Sequence, residues 1–256
     1  MKRRLRFLTL LLTAILPGFL KKAIYRHLFG YRIGRQVRIG LALLDCDCLT
    51  IGDNSRISHG VVFWRCGDVS IGRHVLLGLG NLFRGGESIE LDDYSQVIRL
   101  NVINAIPDHD CVNHPVSRFY LGFGSVITAE HRIDFTDRVT IGRCSIFGGR
   151  NSTIWTHNRR KGRPVTIGDY CYVGSEIRMA PGAAIPDCCV VGLGSVVTHP
   201  LNQKFSLIAG VPARVRRELD AEDYEMLFAK TRPEIPDEIY PFPELEHSTP
   251  PRKMAQ

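Results

Sequence analysis

The sequence of 256 residues lacks an apolar run long enough to cross a membrane. Its apolar stretch at residues 7–20 is interrupted by Pro17 and Gly18 and is shorter than the roughly 20 residues that a spanning helix needs. No convincing small-x-small cleavage site follows this stretch, which argues against a secretory signal peptide. We therefore expect residues 1–30 to form one or two helices that do not span a bilayer.

Acidic residues are absent from residues 1–44, although this segment contains ten of the basic residues. The remaining chain carries 23 basic and 26 acidic residues, so the formal net charge of +7 originates in the N-terminal segment. This asymmetry argues against a nucleic-acid-binding domain and indicates local attraction to an anionic partner. Two interpretations stay open: residues 1–28 lie in a membrane surface, or this segment caps the open end of the domain that follows.

The eight cysteines lack the spacing of a disulfide or zinc framework, and no C-x-x-C pair occurs. We expect buried, reduced thiols in a cytoplasmic protein, at most peripheral at the cytoplasmic face of a membrane. The hydrophobic fraction of 44% and the charged fraction of 23% are those of an ordinary soluble domain.

What the sequence does contain is a repeat of six residues. An aliphatic residue or methionine occupies every sixth position of the following series: Ile167, Val173, Met179, Ile185, Val191 and Val197. A period of six fits neither the 3.6 residues of a helix nor the alternation of a strand, and it is the signature of a parallel β-helix. Mostly small residues stand four positions after the anchors, as a tight corner requires: Cys171, Ile177, Ala183, Cys189 and Ser195.

Weaker copies of the repeat begin at Ile33 and predict a β-helix domain over residues 31–200 of roughly eight turns, above the minimum of three repeats. Two breaks in the period, at residues 106–118 and 157–164, predict loops that leave the coil. We expect a closing segment and a short helix in residues 201–232. Residues 233–256 are rich in proline and acidic residues and predict an extended or disordered tail.

Residues 190–219 resemble the end of the hexapeptide-repeat acyltransferases, a family that includes galactoside, maltose, serine and polysaccharide O-acetyltransferases. The segment is a glycine-rich rung followed by a closing motif, Gly210-Val211-Pro212-Ala213-Arg214. The likeness covers roughly residues 30–218. It implies an all-β, left-handed parallel β-helix, a homotrimer, and acetyl-CoA bound between neighbouring subunits as the acyl donor. The left-handed winding opposes the usual crossover preference and follows from the resemblance alone.

The resemblance implies that His157 is the catalytic base. A neutral imidazole can accept the proton of an acceptor hydroxyl as that hydroxyl attacks the thioester. The oxyanion that forms needs a donor, which we expect from a backbone N–H near Gly174 or Ser175. His131, next to Glu130, stands where the family often has a polar residue that orients the base or the acceptor, and it is the second catalytic candidate.

The resemblance also implies positions that contact CoA. They are Ser175, Leu193, Thr198, Arg214 and Arg217, of which the two arginines suit the nucleotide phosphates. Two departures from the family pattern bear on this site. Leu193 stands where a small residue is usual, which predicts a tighter or displaced groove for the pantetheine arm. His199 stands where a lysine commonly contacts the phosphates.

Two other functions stay open. Gamma-class carbonic anhydrases share the β-helix and bind zinc through three histidines, for which His74, His109 and His114 are the candidates here. The last two lie in an irregular loop that provides poorly fixed ligand geometry, so we expect no metal site. The other alternative is a catalytically silent scaffold, which would not need His157.

The acceptor within the acyltransferase interpretation is a saccharide or a polysaccharide precursor. The basic residues 159–163 beside His157 indicate an anionic acceptor, such as a sugar linked to a lipid diphosphate or to a nucleotide. A membrane-seeking N-terminus agrees with a lipid-linked saccharide. Small free acceptors and drug modification stay open as alternatives.

Overall fold

A computed structural model of the chain describes residues 3–107, 110–230 and 232–240. Two helices come first, α1 (Arg3–Ile15) and α2 (Gly18–His27). Pro17 separates them and lies directly before α2, where its missing N–H leaves no intrahelical hydrogen bond unmade.

Short strands make up the repeat domain. The first twelve are β1 (Arg32–Ile33), β2 (Arg38–Ile39), β3 (Leu43–Ile51), β4 (Arg56–Ile57), β5 (Val62–Ile71), β6 (Leu76–Leu77), β7 (Leu82–Arg84), β8 (Ser88–Leu91), β9 (Gln96–Arg99), β10 (Val102–Asn104), β11 (Arg118–Leu121) and β12 (Val126–Ala129). The next twelve are β13 (Arg132–Asp134), β14 (Val139–Ile141), β15 (Ile146–Arg150), β16 (Thr153–Ile154), β17 (Val165–Ile167), β18 (Tyr172–Val173), β19 (Arg178–Met179), β20 (Ala184–Ile185), β21 (Val190–Val191), β22 (Val196–Val197), β23 (Ser206–Ala209) and β24 (Arg214–Glu218). Helix α3 (Ala221–Phe228) and a 3₁₀ helix (Asp237–Ile239) follow.

The strands stack into three faces of a solenoid with about nine turns, one more than the sequence predicts. The first face contains β1, β3, β5, β8, β11, β14, β17 and β20; the second contains β2, β4, β6, β9, β12, β15, β18, β21 and β23; the third contains the starts of β3 and β5 with β7, β10, β13, β16, β19 and β22. Strands on consecutive turns pair in parallel, so that Ile141 lies opposite Ile167 and Ile167 lies opposite Ile185. The antiparallel pair of β23 and β24 closes the domain.

The hexapeptide anchors fill the interior of the solenoid. All six anchors of the uninterrupted run are at most 1% exposed, which confirms the parallel β-helix predicted from the period. Each buried aliphatic side chain contributes about 1.5–3 kcal/mol relative to exposure. The architecture is consistent with the left-handed winding that the family resemblance implies.

Small residues at one corner connect successive turns by hydrogen bonds. The hydroxyl of Ser145 donates to the carbonyl of Gly168 at 2.7 Å and accepts the N–H of Cys171 at 2.9 Å. This corner, between the first and second faces, is where small side chains such as Ser125, Ser145 and Cys171 stand four positions after an anchor, whereas Ile177 and His131 occupy the next corner. All eight cysteines lie in the described part of the chain, and none forms a disulfide.

The chain after the solenoid folds back along a corner. Arg232 is buried and donates to the carbonyls of Tyr94 at 2.7 Å and Gly124 at 3.2 Å. Ile235 is fully buried in a small apolar cluster with Tyr94 and Tyr240. We call residues 232–240 the C-terminal strap. The tail predicted to be extended or disordered therefore begins as a packed segment, while residues 241–256 lie outside the described residues.

Helices α1 and α2 cover the N-terminal end of the solenoid. Leu10 and Tyr25 are fully buried, and Arg6 pairs with Asp45 at 2.7 Å. One face of α1 remains uncovered, with side chains that are 56–70% exposed: Leu5, Leu8, Leu12 and Ile15. Neither these helices nor α3 is long and apolar enough to span a membrane.

Candidate active site

His157 and Asp134 form a hydrogen-bonded pair at the edge of the third face. Nδ1 of His157 lies 2.6 Å from Oδ2 of Asp134, and the exposed fractions of the two side chains are 16% and 4%. The carboxylate accepts a hydrogen bond from Nδ1–H, which leaves the lone pair of Nε2 free for a substrate. The pair therefore has the arrangement of a general base with an orienting carboxylate.

Asp134 is fixed by four further hydrogen bonds. Its Oδ1 accepts the N–H and the hydroxyl of Thr136 at 3.1 and 2.6 Å, and its Oδ2 accepts the N–H and the hydroxyl of Thr156 at 3.1 Å each. A carboxylate held by this many donors cannot rotate away from the imidazole.

The two loops that interrupt the repeat meet beside this pair. The side-chain amide of Asn113 exchanges two hydrogen bonds of 2.9 Å with the backbone of Gly162. Farther along the same contact, Val112 donates to the carbonyl of Arg160 at 2.9 Å. The sequence predicts both loops but not their contact, which lies beside the pair because Gly162 also bridges His157.

His131 lies inside the solenoid and not at this surface. Its side chain is fully buried, with Nδ1 accepting the N–H of Ser152 at 3.1 Å and Nε2 hydrogen bonded to Thr128 at 3.0 Å. Burial lowers its pKa to about 4. The residue belongs to a corner ladder with Asn81 and Asn101, in which Asn101 accepts the N–H of His131 at 2.9 Å. The side chain in contact with His157 is that of Asp134.

Asp134 is the residue that the sequence interpretation missed. It directly follows the anchor Ile133 and thus points outward on the turn before the one that carries His157. Alignment of the repeats at their anchors would have placed the two residues on neighbouring rungs. Glu130, in contrast, is only half buried and belongs to a corner with a φ of 61°.

The surroundings of His157 are aromatic and basic. Trp155 is 48% exposed and lies two residues before it. The loop after His157 turns back as a hairpin in which His157 bridges Gly162, and it presents exposed cationic side chains: Arg159, Arg160, Lys161 and Arg163. These features suit a ligand with a ring and a negative charge.

The positions that the sequence predicts to contact CoA lie at the C-terminal end of the solenoid. They differ in how exposed their side chains are and in whether these already have partners. Leu193 is 72% exposed, so it does not close a groove within one chain. Arg214 is exposed, whereas Arg217 already pairs with Asp220 at 3.1 Å and with Asp223. Arg214 is therefore the better phosphate partner of the two.

The smaller polar positions of this region are also partly engaged. The hydroxyl of Thr198 lies 3.1 Å from Nδ1 of His199 at the exposed surface. Ser175 is half buried, and its carbonyl accepts the N–H of Gly194 at 3.0 Å. The N–H of Gly174 donates to Val191 at 2.9 Å, so Gly174 has no free donor for an oxyanion.

The two described histidines considered for zinc lie in different parts of the chain: His74 in a corner of the solenoid and His114 in the loop at residues 106–118. His74 stacks on Tyr94 with 4.6 Å between ring centroids, and its Nε2 lies 3.3 Å from the amide of Asn54. His109 lies outside the described residues. Over the described ranges, no group of three or more His, Cys, Asp or Glu side chains has a geometry suited to a metal ion.

Comparison with known proteins identifies relatives for part of the chain, although no protein-family model matches it. The galactoside O-acetyltransferase of Escherichia coli (strain K12) is 30% identical over 119 residues, which cover 45% of this chain and 58% of that enzyme. A protein of Saccharomyces cerevisiae named as a candidate acetyltransferase is 30% identical over 148 residues, covering 50% of this chain and 72% of that protein. The chain thus spans little more than half the length of the bacterial relative.

Among solved structures, a polysialic acid O-acetyltransferase is similar over 73% of this chain and 88% of its own. The sequence identity is 18% and the TM-score is 0.49. A TM-score below 0.5 supports no functional comparison.

Proposed function

Since the chain belongs to the hexapeptide-repeat acetyltransferase family, we propose that it transfers an acetyl group from acetyl-CoA to a hydroxyl of a saccharide or polysaccharide precursor. The observation that carries this proposal is the 2.6 Å contact between His157 and Asp134. A scaffold protein would have no need for a buried carboxylate that orients a partly exposed imidazole.

In the proposed reaction, Nε2 of His157 removes the proton of the acceptor hydroxyl while its oxygen attacks the thioester carbon. The carbon–sulfur bond then breaks, and the departing thiolate takes the same proton from the imidazolium. The products are an acetyl ester and the CoA thiol. A positioned base of this kind contributes about 10²–10⁴-fold to the rate. A backbone N–H near Ser175 is the proposed donor to the oxyanion.

The proposed donor site uses exposed positions at the C-terminal end of the solenoid. Arg214 offers its guanidinium to the nucleotide phosphates, and Leu193 and Thr198 border the pantetheine arm. Arg217 would have to exchange its carboxylate partners for phosphate. The family relationship is also the reason to propose a homotrimer with the donor site between neighbouring subunits, which sedimentation of the purified protein tests.

We further propose that the acceptor is linked to lipid and that α1 lies on an anionic membrane surface at the cytoplasmic face. Supporting this are the exposed apolar residues of α1 at positions 5, 8, 12 and 15, which share one helix face. Exposed arginines flank the same end of the molecule, namely Arg4, Arg26, Arg32 and Arg35. Apolar insertion combined with cationic contact is the chemistry of an interfacial helix.

The decisive experiment compares the wild type with His157→Ala. We expect micromolar binding of acetyl-CoA to both proteins by calorimetry, and transfer to saccharide acceptors by the wild type alone. Equal loss of acetyl-CoA binding would assign His157 a structural role. Absence of acetyl-CoA binding to the wild type would favour the scaffold.

A further inference from the structure

A line of outward-facing side chains connects the N-terminal end of the solenoid with the candidate active site. In the third face Trp64 lies opposite Arg84, Arg84 opposite Asn104, and Asn104 opposite Asp134. Neighbouring strands are about 4.8 Å apart, so Arg84 lies roughly 10 Å and Trp64 roughly 14 Å from the rung of Asp134. These residues follow their buried anchors by one position and therefore share the outer surface.

Trp64 forms the wall between two neighbouring surface cavities. One is lined by Arg4, Arg6, Phe7, Asp45, Trp64 and Arg65, and the other by Trp64, Arg65, Arg84, Gly85 and Pro107. The indole is fixed by an edge contact with Phe7 at 5.3 Å, and the Arg65 guanidinium lies 5.5 Å from the indole centroid.

Uncompensated positive charge surrounds this indole. Arg6 is neutralised by Asp45 at 2.7 Å. Arg4, Arg65 and Arg84 are exposed, and none of them has an ion-pair partner among residues 3–107, 110–230 and 232–240. Three unpaired guanidinium groups around one aromatic ring suit a phosphate group, which accepts paired hydrogen bonds from arginine.

The cavity and the His157 pair border the same loop. Pro107 closes the cavity on one side, and the adjacent Ile106 donates its N–H to Thr136 at 2.9 Å. Thr136 in turn donates to Asp134. The wall of the cavity is thus connected to Asp134 through the hydrogen bonds of Ile106 and Thr136.

We propose that the cavities around Trp64 are a phosphate-binding subsite for the acceptor, with Arg65 and Arg84 as its principal ligands and Arg4 contributing charge. The assignment rests on the proposed function for the identity of the acceptor, a saccharide phosphate or diphosphate. The phosphate is held at Trp64 while a hydroxyl of the saccharide reaches His157, a separation of roughly 10–14 Å along the solenoid. Sugars without phosphate gain nothing from this subsite.

Fluorescence titration with inorganic pyrophosphate tests the subsite directly. The chain contains two tryptophans, so Trp155→Phe leaves Trp64 as the single reporter. We expect a saturable change in its emission, and affinity about tenfold or more weaker when Arg65→Gln and Arg84→Gln are added. Arg99→Gln, at an exposed arginine on the second face, is the matched control and leaves the affinity unchanged. Unchanged thermal unfolding shows that the variants are folded.

The source of the phosphate is decided by a second arm with anionic phospholipid vesicles. Pyrophosphate binding that depends on Arg65 and Arg84 supports the acceptor subsite. The proposal is overturned if pyrophosphate gives no saturable change, if the double variant binds it equally well, or if these arginines affect vesicle binding alone. The titration does not depend on acetyl transfer. A protein that binds pyrophosphate through these arginines but transfers no acetyl group would refute the proposed function and still support the phosphate-binding subsite.

Discussion

Asp134 and His157 are separated by 23 residues in the chain, yet Oδ2 of one lies 2.6 Å from Nδ1 of the other. One turn of the solenoid brings them together, because Ile133 and Ile154 are paired anchors on consecutive rungs. The hydrogen bond assigns the Nδ1 proton and hence the free Nε2 lone pair. Since Asp134 also holds Thr136 and Thr156, the imidazole is oriented before any substrate arrives.

Asp134→Asn is expected to reduce kcat by about 10²–10⁴-fold while changing the KM for acetyl-CoA little. The amide can present a donor to Nδ1, which favours the tautomer with its proton on Nε2 and abolishes the base. Steady-state kinetics across pH test this, and the thermal midpoint reports any loss of the threonine contacts. A parallel rise in KM, or unfolding that accounts for the lost rate, would contradict the positioning role.

His131 is expected to make the protein sensitive to acid. Burial lowers its pKa in the folded state to about 4. As the pH falls below 6.5, the unfolded chain therefore takes up a proton at this residue while the folded chain does not. The stability that depends on the neutral ring is complete above pH 6.5 and is lost as the pH falls towards 4. The difference between the two pKa values corresponds to about 3 kcal/mol and arises from burial of the ring. A protonated ring would also direct a donor at the N–H of Ser152.

His131→Asn provides the test of this acid sensitivity. Asn81 and Asn101 occupy equivalent positions in the same ladder, so an asparagine preserves the hydrogen bonds and cannot titrate. Urea unfolding at pH 7 and pH 4.5 should show a smaller loss of stability in this variant than in the wild type. His27→Asn, at an exposed histidine of α2, is the control and should lose as much stability between pH 7 and pH 4.5 as the wild type. An equal loss of stability between the two pH values in all three proteins would refute the assignment of acid sensitivity to His131.

The solenoid was predictable because each turn repeats the same spacing of buried residues along the sequence. The buried anchor on every sixth residue, from Ile167 to Val197, predicts both the length of the strands and the stacking of the turns. The position of His157 came from the family resemblance and not from the period, since a histidine in a basic loop carries no periodic signal.

The remaining features depend on contacts between breaks in the repeat. Residues 106–118 and 157–164 meet beside the Asp134–His157 pair, as the Asn113–Gly162 contact shows. Nothing in either loop specifies the other. The C-terminal strap was missed for a related reason: its anchor Ile235 lies among prolines and acidic residues, a composition typical of disorder.

The strap is expected to stabilise the solenoid. Ile235 is fully buried, so Ile235→Ala should lower the free energy of unfolding by about 2–5 kcal/mol. Ile239→Ala is the matched control, because this isoleucine of the 3₁₀ helix is 48% exposed and should change stability by less than about 0.5 kcal/mol. Chemical denaturation followed by circular dichroism measures both. Equal effects of the two substitutions would mean that the strap does not pack as a unit with Tyr94 and Tyr240.

The uncovered face of α1 should bind anionic membranes. Leu5, Leu8 and Leu12 share this face at i, i+3 and i+7, and their replacement by serine removes apolar insertion without touching the buried Leu10. We expect the wild type to float with phosphatidylglycerol vesicles, and much less with phosphatidylcholine vesicles, because each basic residue near an anionic surface contributes about 1 kcal/mol.

The triple serine variant should stay in solution with both lipids, while Leu79→Ser, at a 54% exposed leucine of the solenoid, should float like the wild type. Sedimentation without lipid separates the competing explanation, a second copy of the chain covering α1. A change in oligomeric mass caused by the triple variant, with no vesicle binding by the wild type, would assign the face to self-association. Vesicle binding that needs both the leucines and anionic lipid would place the His157 pair beside a membrane, where a lipid-linked saccharide is found.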